Sequence, residues 1–271
     1  MPDKILIGKG RTAEVYRWEN DRILKVFYDW VPAAWIESEA KIGAAVYATG
    51  VPAPAVYGLL DVDGRKGLLY QRLDGPSLLG RIAAKPWRIV VYARQMAELQ
   101  RRIHAANGAG LPEQKERLES AIADSAALFD LGAQQAAIVA QLRRLPEGSS
   151  VCHGDFHPDN ILGAEREWLA IDWSNAAAGN PCADVARTLL MLASPYLPPQ
   201  IPQPTQTLLK VAKRLLRSAY LQEYLRSAKI GFADVEPWLL PVAAARLRER
   251  IPGEAEWLLK LIQRYLKGID E

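Results

Sequence analysis

The chain has 271 residues, 34 of them Lys or Arg and 31 Asp or Glu; at about 100 to 200 residues per domain, this allows one large domain or two lobes around a cleft. With 49% hydrophobic and 24% charged residues, the disordered, collagen-like and coiled-coil classes are excluded. A formal net charge of +3 is too slight to point to nucleic acid, and the uncharged run Gly43 to Leu60 is broken by Pro52 and Pro54, which makes it a poor membrane helix.

The first residues, Met1-Pro2-Asp3-Lys4-Ile5, hold no basic segment ahead of an apolar core, so no cleaved secretory signal is expected. Cys152 and Cys182 are the only cysteines and lack paired C-x-x-C spacing, which argues against a disulfide framework and fits a reducing compartment. A cytoplasmic protein with neither membrane nor nucleic acid as partner is the expectation; the sequence names no oligomeric state.

From Ile5 to Tyr28, short apolar runs (Ile5-Leu6-Ile7, Val15 to Trp18, Ile23 to Phe27) are separated by Gly8 and Gly10 and then by Glu19-Asn20-Asp21, as in an antiparallel meander. Ala33 to Thr49 has no internal Pro and stops at Gly50, predicting one helix with a glycine at its end. Val56 to Leu60 and Lys66 to Leu73 predict two more strands around the Asp61-Val62-Asp63-Gly64 turn. Residues 1–73 thus form a first lobe, a small sheet with one helix.

From 74 to 271 the pattern is mainly helical. Tyr92, Met96, Leu99 and Ile103 fall on one face, and Leu208, Val211, Leu215, Ala219 and Tyr220 on another. Between these helices, Val151 to Asn160 and Trp168 to Trp173 predict a small hairpin joined through Gly163. Ser194 to Thr205, with prolines at 195, 198, 199, 202 and 204, predicts an extended loop. The fold class is α+β.

The densest group of ionisable and amide side chains is His153-Gly154-Asp155-Phe156-His157-Pro158-Asp159-Asn160, which holds two of the three histidines. Gly154 and Pro158 disfavour a helix, so these side chains should project from a turn. Twelve residues beyond Asn160, Asp172 sits between Ile171 and Trp173, where an isolated carboxylate would be costly without a cation or donors. Three readings are open. Asp155, Asn160 and Asp172 could be turn formers and caps; His153, His157 and a carboxylate could bind zinc, although Pro158 spoils the helical spacing of H-E-x-x-H. In the third, Asp155 is a base or hydroxyl-orienting group, and Asn160 and Asp172 are hard oxygen ligands for magnesium bridging phosphates.

Gly8-Lys9-Gly10-Arg11-Thr12-Ala13 has the look of a dinucleotide fingerprint, but Glu14 to Trp18 reads as a strand where a helix is required. No G-x-x-x-x-G-K-[ST] occurs, which removes a P-loop. A glycine hairpin can be a plain turn, or it can lie over nucleotide phosphates because backbone N–H groups approach closely there. Lys25 interrupts the apolar strand Ile23 to Phe27, which suits an edge position or an anion partner; Glu37 and Glu39 on the next helix are candidate partners.

Glycine hairpin, strand lysine, helix glutamate, H-G-D-F-H-P-D-N and I-D-W, in that order, resemble the aminoglycoside phosphotransferase and choline kinase family, of protein-kinase-like two-lobed fold. The resemblance runs from about Ile5 to Leu192. It implies an ATP-dependent kinase that transfers the γ-phosphate to an alcohol group, with ATP and Mg2+ as cofactors. In it, Gly8 and Gly10 lie over the nucleotide, Lys25 contacts its phosphates, and Glu39 rather than Glu37 partners Lys25. Gln71 to Leu73 line the adenine, Asp155 is catalytic, and Asn160 and Asp172 hold magnesium. His153 supports the loop and Asp184 braces it. Ala13 and Trp173 depart from the protein-kinase pattern and there is no A-P-E segment, which favours the small-molecule branch.

The acceptor is expected between the catalytic loop and the helices after Asp184. Pro181 to Glu271 carries more Lys and Arg than Asp and Glu, with Arg246, Arg248 and Arg250 close together, which suits a polycationic aminoglycoside poorly. Trp173, Tyr196, Tyr220, Tyr224, Trp238 and Trp257 could form an aromatic cage for a quaternary ammonium or simply pack helices. A working small-molecule kinase, an aminoglycoside-modifying kinase and a nucleotide-binding regulator without turnover are the readings carried forward.

Overall fold

The computed structural model describes residues 5–19, 21–164, 167–196 and 203–267; Met1 to Lys4, Asn20 of the first turn, and Pro198, Pro199 and Pro202 of the proline-rich stretch lie outside them. Five antiparallel strands, β1 (Leu6–Lys9), β2 (Ala13–Trp18), β3 (Arg22–Phe27), β4 (Val56–Val62) and β5 (Arg65–Gln71), form one sheet in the order β1-β2-β3-β5-β4. The turn between β4 and β5 is Asp63-Gly64, both at positive φ (52° and 81°), the conformation that suits the right-handed twist of a tight hairpin. Helix α1 (Ala33–Ala48) follows β3 and ends ahead of Gly50 at φ 76°, a left-handed residue that only glycine adopts without cost.

The remainder is mainly helical: α2 (Leu78–Ala84), α3 (Ile89–His104), α4 (Gln114–Phe129), α5 (Ala133–Arg144), α6 (Pro181–Ala193), α7 (Gln203–Ala228), α8 (Phe232–Val235), α9 (Leu239–Arg246) and α10 (Ala255–Lys267). Two short strand pairs sit among them, β6 (Ser150–Cys152) with β9 (Ala177–Gly179) and β7 (Ile161–Ala164) with β8 (Glu167–Ala170). The expected hairpin of Val151 to Asn160 with Trp168 to Trp173 is therefore corrected. Residues 153 to 160 form a loop closed by a 3-10 turn at Pro158–Asn160, where proline fits the first position of a turn, so Val151 pairs beyond the I-D-W segment with Ala178.

Sheet and helices share packing. Phe27, Ile36 and Leu68 bury the sheet against α1, while Ile42 and Val46 from the far half of α1 join the large helical core around Met96, Ile103, Phe156 and Leu190. The linker Asp74-Gly75-Pro76 leads onto the β7–β8 hairpin, where a Cβ on Gly75 would meet the Gly163 carbonyl oxygen at 2.2 Å. Glycine is required there by close backbone approach.

The helical face expected from Tyr92, Met96, Leu99 and Ile103 is buried in α3. The face expected on α7 is covered only in part: Leu208, Val211 and Leu215 are exposed, whereas Tyr220 is buried as expected, together with Leu216 and Tyr224. Several apolar residues on α7 allow two helical stripes, and contact with α3 selects the one that carries the tyrosines. α7 also begins at Gln203, so Pro204 and Thr205 lie in its first turn, where proline is tolerated, rather than in an extended loop. Leu216→Ala is expected to destabilise the protein by about 2–5 kcal/mol, whereas Leu215→Ala should stay within about 0.5 kcal/mol; denaturant titration of both variants distinguishes the faces, and equal losses would contradict the assignment.

Candidate active site

Lys25 lies on β3, the middle strand of the sheet, so an edge position does not account for it. Its ammonium donates to Glu39 Oε1 at 2.7 Å and lies 3.5 Å from Asp172 Oδ1. Glu39 faces the sheet from α1 and also accepts from the Tyr70 hydroxyl at 2.9 Å, while Glu37 is exposed. Burial works against the Lys25 ammonium, and the Asp172 and Glu39 carboxylates overcome it, raising its pKa above the usual lysine value. Burial and Glu39 together push the Tyr70 phenol well up, so it acts here as a hydrogen-bond donor.

Asp172 occupies the left-handed region at φ 61°, a conformation that aspartate tolerates better than most side chains but that still costs energy. The turn puts its carboxylate, 43% exposed, into the space above Lys25. Ser174 Oγ donates to Asp172 Oδ1 at 3.3 Å. Asn160 is held next to it, because the Ile171 N–H donates to the Asn160 carbonyl at 2.9 Å. The Asn160 amide nitrogen donates to the Asp155 carbonyl at 3.0 Å and to Asp155 Oδ2 at 3.2 Å. Its side-chain oxygen therefore points away from Asp155.

Around Asp155, His157 Nε2 stands 3.6 Å from Oδ2 and Arg187 3.8 Å from Oδ1. Burial alone would raise the carboxyl pKa; the His157 contact and the Arg187 charge outweigh it and hold Asp155 well below the usual carboxylate range. Arg187 is itself fixed by the Gly154 carbonyl and by Glu249 at 2.6 Å.

Beneath the loop, Asp184 near the start of α6 accepts four hydrogen bonds: from the Gly154 N–H at 2.7 Å, the His153 N–H at 3.1 Å, Gln100 Nε2 at 2.9 Å and His104 Nε2 at 3.0 Å. The helix is started by Asn180, whose side chain accepts from the Cys182 N–H at 2.9 Å, with Pro181 in the first turn. Burial opposes the Asp184 charge, and the His104 hydrogen bond leads the interactions that pull its pKa far down. Gly154 is at φ 75°, and a Cβ there would meet the Asn175 carbonyl oxygen at 2.4 Å. His153 is fully buried: Nε2 donates to the Ile171 carbonyl at 3.0 Å, Nδ1 accepts from the Asp155 N–H at 3.2 Å, and burial lowers its pKa. A neutral imidazole with both nitrogens occupied stitches the loop to the I-D-W segment and cannot be a zinc ligand. Among the described residues no group of three His, Cys, Asp or Glu could hold a metal, and both cysteines are free thiols.

Gly8 and Gly10 lie in and beside β1, and a Cβ on either would meet only ordinary contacts; nothing in the protein itself demands glycine there. Gln71 closes β5 by exchanging backbone and side-chain hydrogen bonds with Ala55 (2.9 and 3.2 Å), and among the described residues the Leu73 backbone makes no hydrogen bond. Tyr220, Tyr224 and Trp238 are buried in the helical core and Trp173 packs on His153 at 4.3 Å between ring centres, so the six aromatic residues form no cage. Arg246 is likewise consumed, by Glu254 and Glu249 at 2.8 and 3.0 Å.

Residues that the sequence did not single out complete the site: Tyr70, Gln100, His104, Arg187 and Glu249. Arg187 follows Asp184 by three positions on α6, the spacing that shares a helix face, and so carried a readable signal. The others come from distant segments and carried none.

Removing the Asp184 carboxylate with Asp184→Ala leaves four donors unpaired and is expected to cost about 3–5 kcal/mol near neutral pH. Because the folded pKa is depressed, the charged-state contribution is complete above the unfolded value of about 3.9 and fades as pH falls below it. Denaturant titrations from pH 7 down to 3 should therefore show the gap to wild type narrowing in acid; a gap that widens would refute the buried ion.

A model of the phosphotransferase enzyme family matches residues 5–238, whereas no curated protein sequence matches the chain. Among solved structures the chain is similar to aminoglycoside-3'-phosphotransferase of type VIII, with 21% identity, a TM-score of 0.63, and coverage of 91% of this chain and 92% of that one. It is also similar to a thermostable mutant of aminoglycoside phosphotransferase APH(4)-Ia in ternary complex with AMP-PNP and hygromycin B (16% identity, 98% and 93% covered, TM-score 0.64). A third similar structure is choline kinase from Cryptosporidium parvum Iowa II (14% identity, 98% and 88% covered, TM-score 0.52). At these identities the structural likeness carries the two-lobed kinase-like fold. The family model spans most of the chain, including Lys25, Asp155, Asn160, Asp172 and Asp184, and the chain therefore belongs to the phosphotransferase enzyme family.

Proposed function

We propose that the chain transfers the γ-phosphate of ATP to a hydroxyl group of a small molecule, with Asp155 as the base. The observation that carries this reading is the meeting of one buried cation, Lys25, with Glu39 on one side and Asp172 on the other, beside a loop that presents Asp155 and Asn160. Phosphoryl transfer asks for positioning and charge neutralisation rather than covalent help. We place the lobe boundary at Leu73/Asp74, with the free Leu73 backbone and Gln71 meeting the adenine edge and the Gly8 and Gly10 backbone covering the phosphates. Glycines that no internal contact demands support that role.

The residues fit a divalent cation of magnesium type. Asp172 offers a partly exposed carboxylate, and Asn160, whose amide nitrogen is engaged by Asp155, offers its oxygen; both are hard ligands. Bound there, magnesium would neutralise charge on the bridging phosphate oxygens. Lys25, held by Glu39, would bind the phosphates from the other side. Asp155, kept ionised, would accept a hydrogen bond from the acceptor hydroxyl, aim its oxygen and take its proton late. Arg187, fixed by Glu249, would hold the Asp155 carboxylate in place.

For the acceptor, a metabolite without multiple positive charges fits best. The surface next to Gly154 is lined by Arg117, whose guanidinium meets the Ala176 and Ser174 carbonyls and, among the described residues, no carboxylate, and this charge would repel a polycation such as the hygromycin B bound by a similar structure. ADP release with magnesium across choline, ethanolamine, homoserine, sugars and aminoglycosides tests this, and release stimulated only by aminoglycosides would overturn it. Asp155→Asn is expected to lower kcat by about 10² or more with ATP affinity nearly unchanged; a variant that keeps most of its turnover would rule out the base. Asp172→Ala should abolish the magnesium dependence of nucleotide binding, and equal affinity with and without metal in wild type and variant would contradict the ligand assignment.

A further inference from the structure

α7 turns one face toward a cavity of about 720 Å³ that is bounded opposite by the C-terminal half of α6 and by α10. The α7 residues on this face include Lys210, Lys213, Arg214 and Arg217, at i, i+3, i+4 and i+7. Like charges at these spacings repel one another, and helices normally intersperse acids among them. Here none is supplied: Lys210, Arg214, Arg217 and, from α10, Arg264 make no ion pair or hydrogen bond with any described residue. Lys213 differs, since its ammonium donates to the Ser194 and Tyr196 carbonyls. The opposite wall is apolar, built from Leu189, Leu192, Trp257, Leu261 and Tyr265.

This cavity is separate from the site described above. None of Lys25, Asp155, Asn160 or Asp172 lines it. Asp184 meets the catalytic loop near one end of α6, while Ala193 meets the cavity at the other, about 13 Å further along the helix axis at 1.5 Å per residue.

We propose that the cavity binds a small amphiphilic phosphate monoester, its head held by Lys210, Arg214, Arg217 and Arg264 and its apolar body laid against Leu189, Leu192 and Trp257. Each half of the cavity argues for one half of the ligand. Inorganic phosphate would leave the apolar wall wet, and a neutral apolar molecule would leave the four cations that line the cavity uncompensated. Guanidinium forks match phosphate oxygens in pairs, and the volume suits a small organic molecule.

Isothermal titration of the full chain with dodecyl phosphate below its micelle concentration tests this, with saturating ATP and magnesium present. The expected result is saturable one-to-one binding that weakens by about tenfold or more in the Arg214→Glu/Arg217→Glu double variant. The double variant should keep the basal turnover and melt no lower than wild type, because it breaks up the like-charge row. Trp257→Ala should weaken dodecyl phosphate without creating affinity for inorganic phosphate. Equal binding by the double variant, equal affinity for dodecyltrimethylammonium or inorganic phosphate, binding that appears only when ATP is left out, or association only with anionic phosphatidylglycerol vesicles would each overturn the proposal. Calorimetry needs no turnover, so the kinase reading can fail while this one stands.

Discussion

Asp184 is a carboxylate in a position that is almost wholly closed to water, and its charge is tolerable because two backbone N–H groups of the 153–160 loop, Gln100 and His104 all donate to it. The dependence is mutual. A loop that carries a left-handed glycine and a 3-10 turn has no ladder of its own to hold it, so its N–H groups must find acceptors elsewhere. Asp184 supplies them from α6, and His153 supplies the second anchor by spanning from the Asp155 N–H to the Ile171 carbonyl. A charged acceptor binds more strongly than a carbonyl would, and a buried network with every member satisfied has one geometry. Asp155, Asn160 and Asp172 take their places from that geometry.

The second constraint is the Lys25 ammonium, mostly buried in the central strand. It is stable there because Glu39 and Asp172 arrive from different parts of the chain, one from α1 and the other from the segment after β8. The same three residues join the sheet to the helical lobe. Packing reinforces the connection, since Ile42 and Val46 of α1 belong to the large core and the Pro52 carbonyl accepts from the Ala170 N–H at 2.9 Å. Charge alternates outward from the loop as well, from Asp155 through Arg187, Glu249 and Arg246 to Glu254. The arginines in this row are spent on neighbouring carboxylates, whereas those facing the cavity beyond α6 are not.

Much of the site was legible because short motifs set their residues close together. Gly154 and Pro158 forbid a helix, and the loop they impose brings Asp155 within reach of Asn160. Glu39 is less direct: Glu37 and Glu39 are two positions apart on one helix and point to different sides, so burial distinguishes them where composition does not. The α7 face was misread because Leu208, Val211 and Leu215 keep helical spacing yet remain exposed; periodicity reports that a stripe exists, and the neighbour determines which stripe is covered.

The sequence by itself determined the antiparallel strands ahead of the helices and the 153–160 loop with its carboxylates, since those follow from local spacing, glycine and proline conformation, and the cost of a lone charge in an apolar run; the strand pairing around that loop and the start of α7 did not follow from it. Only the tertiary structure decided which groups pay for those charges. His104 and Gln100 reach Asp184 from α3, Tyr70 reaches Glu39 from β5, Glu249 reaches Arg187 from beyond α9, and a basic face of α7 comes to stand opposite the apolar faces of α6 and α10. These partners are many residues apart along the chain, and a hydrogen bond or ion pair depends on a few ångströms in space that no spacing in sequence records.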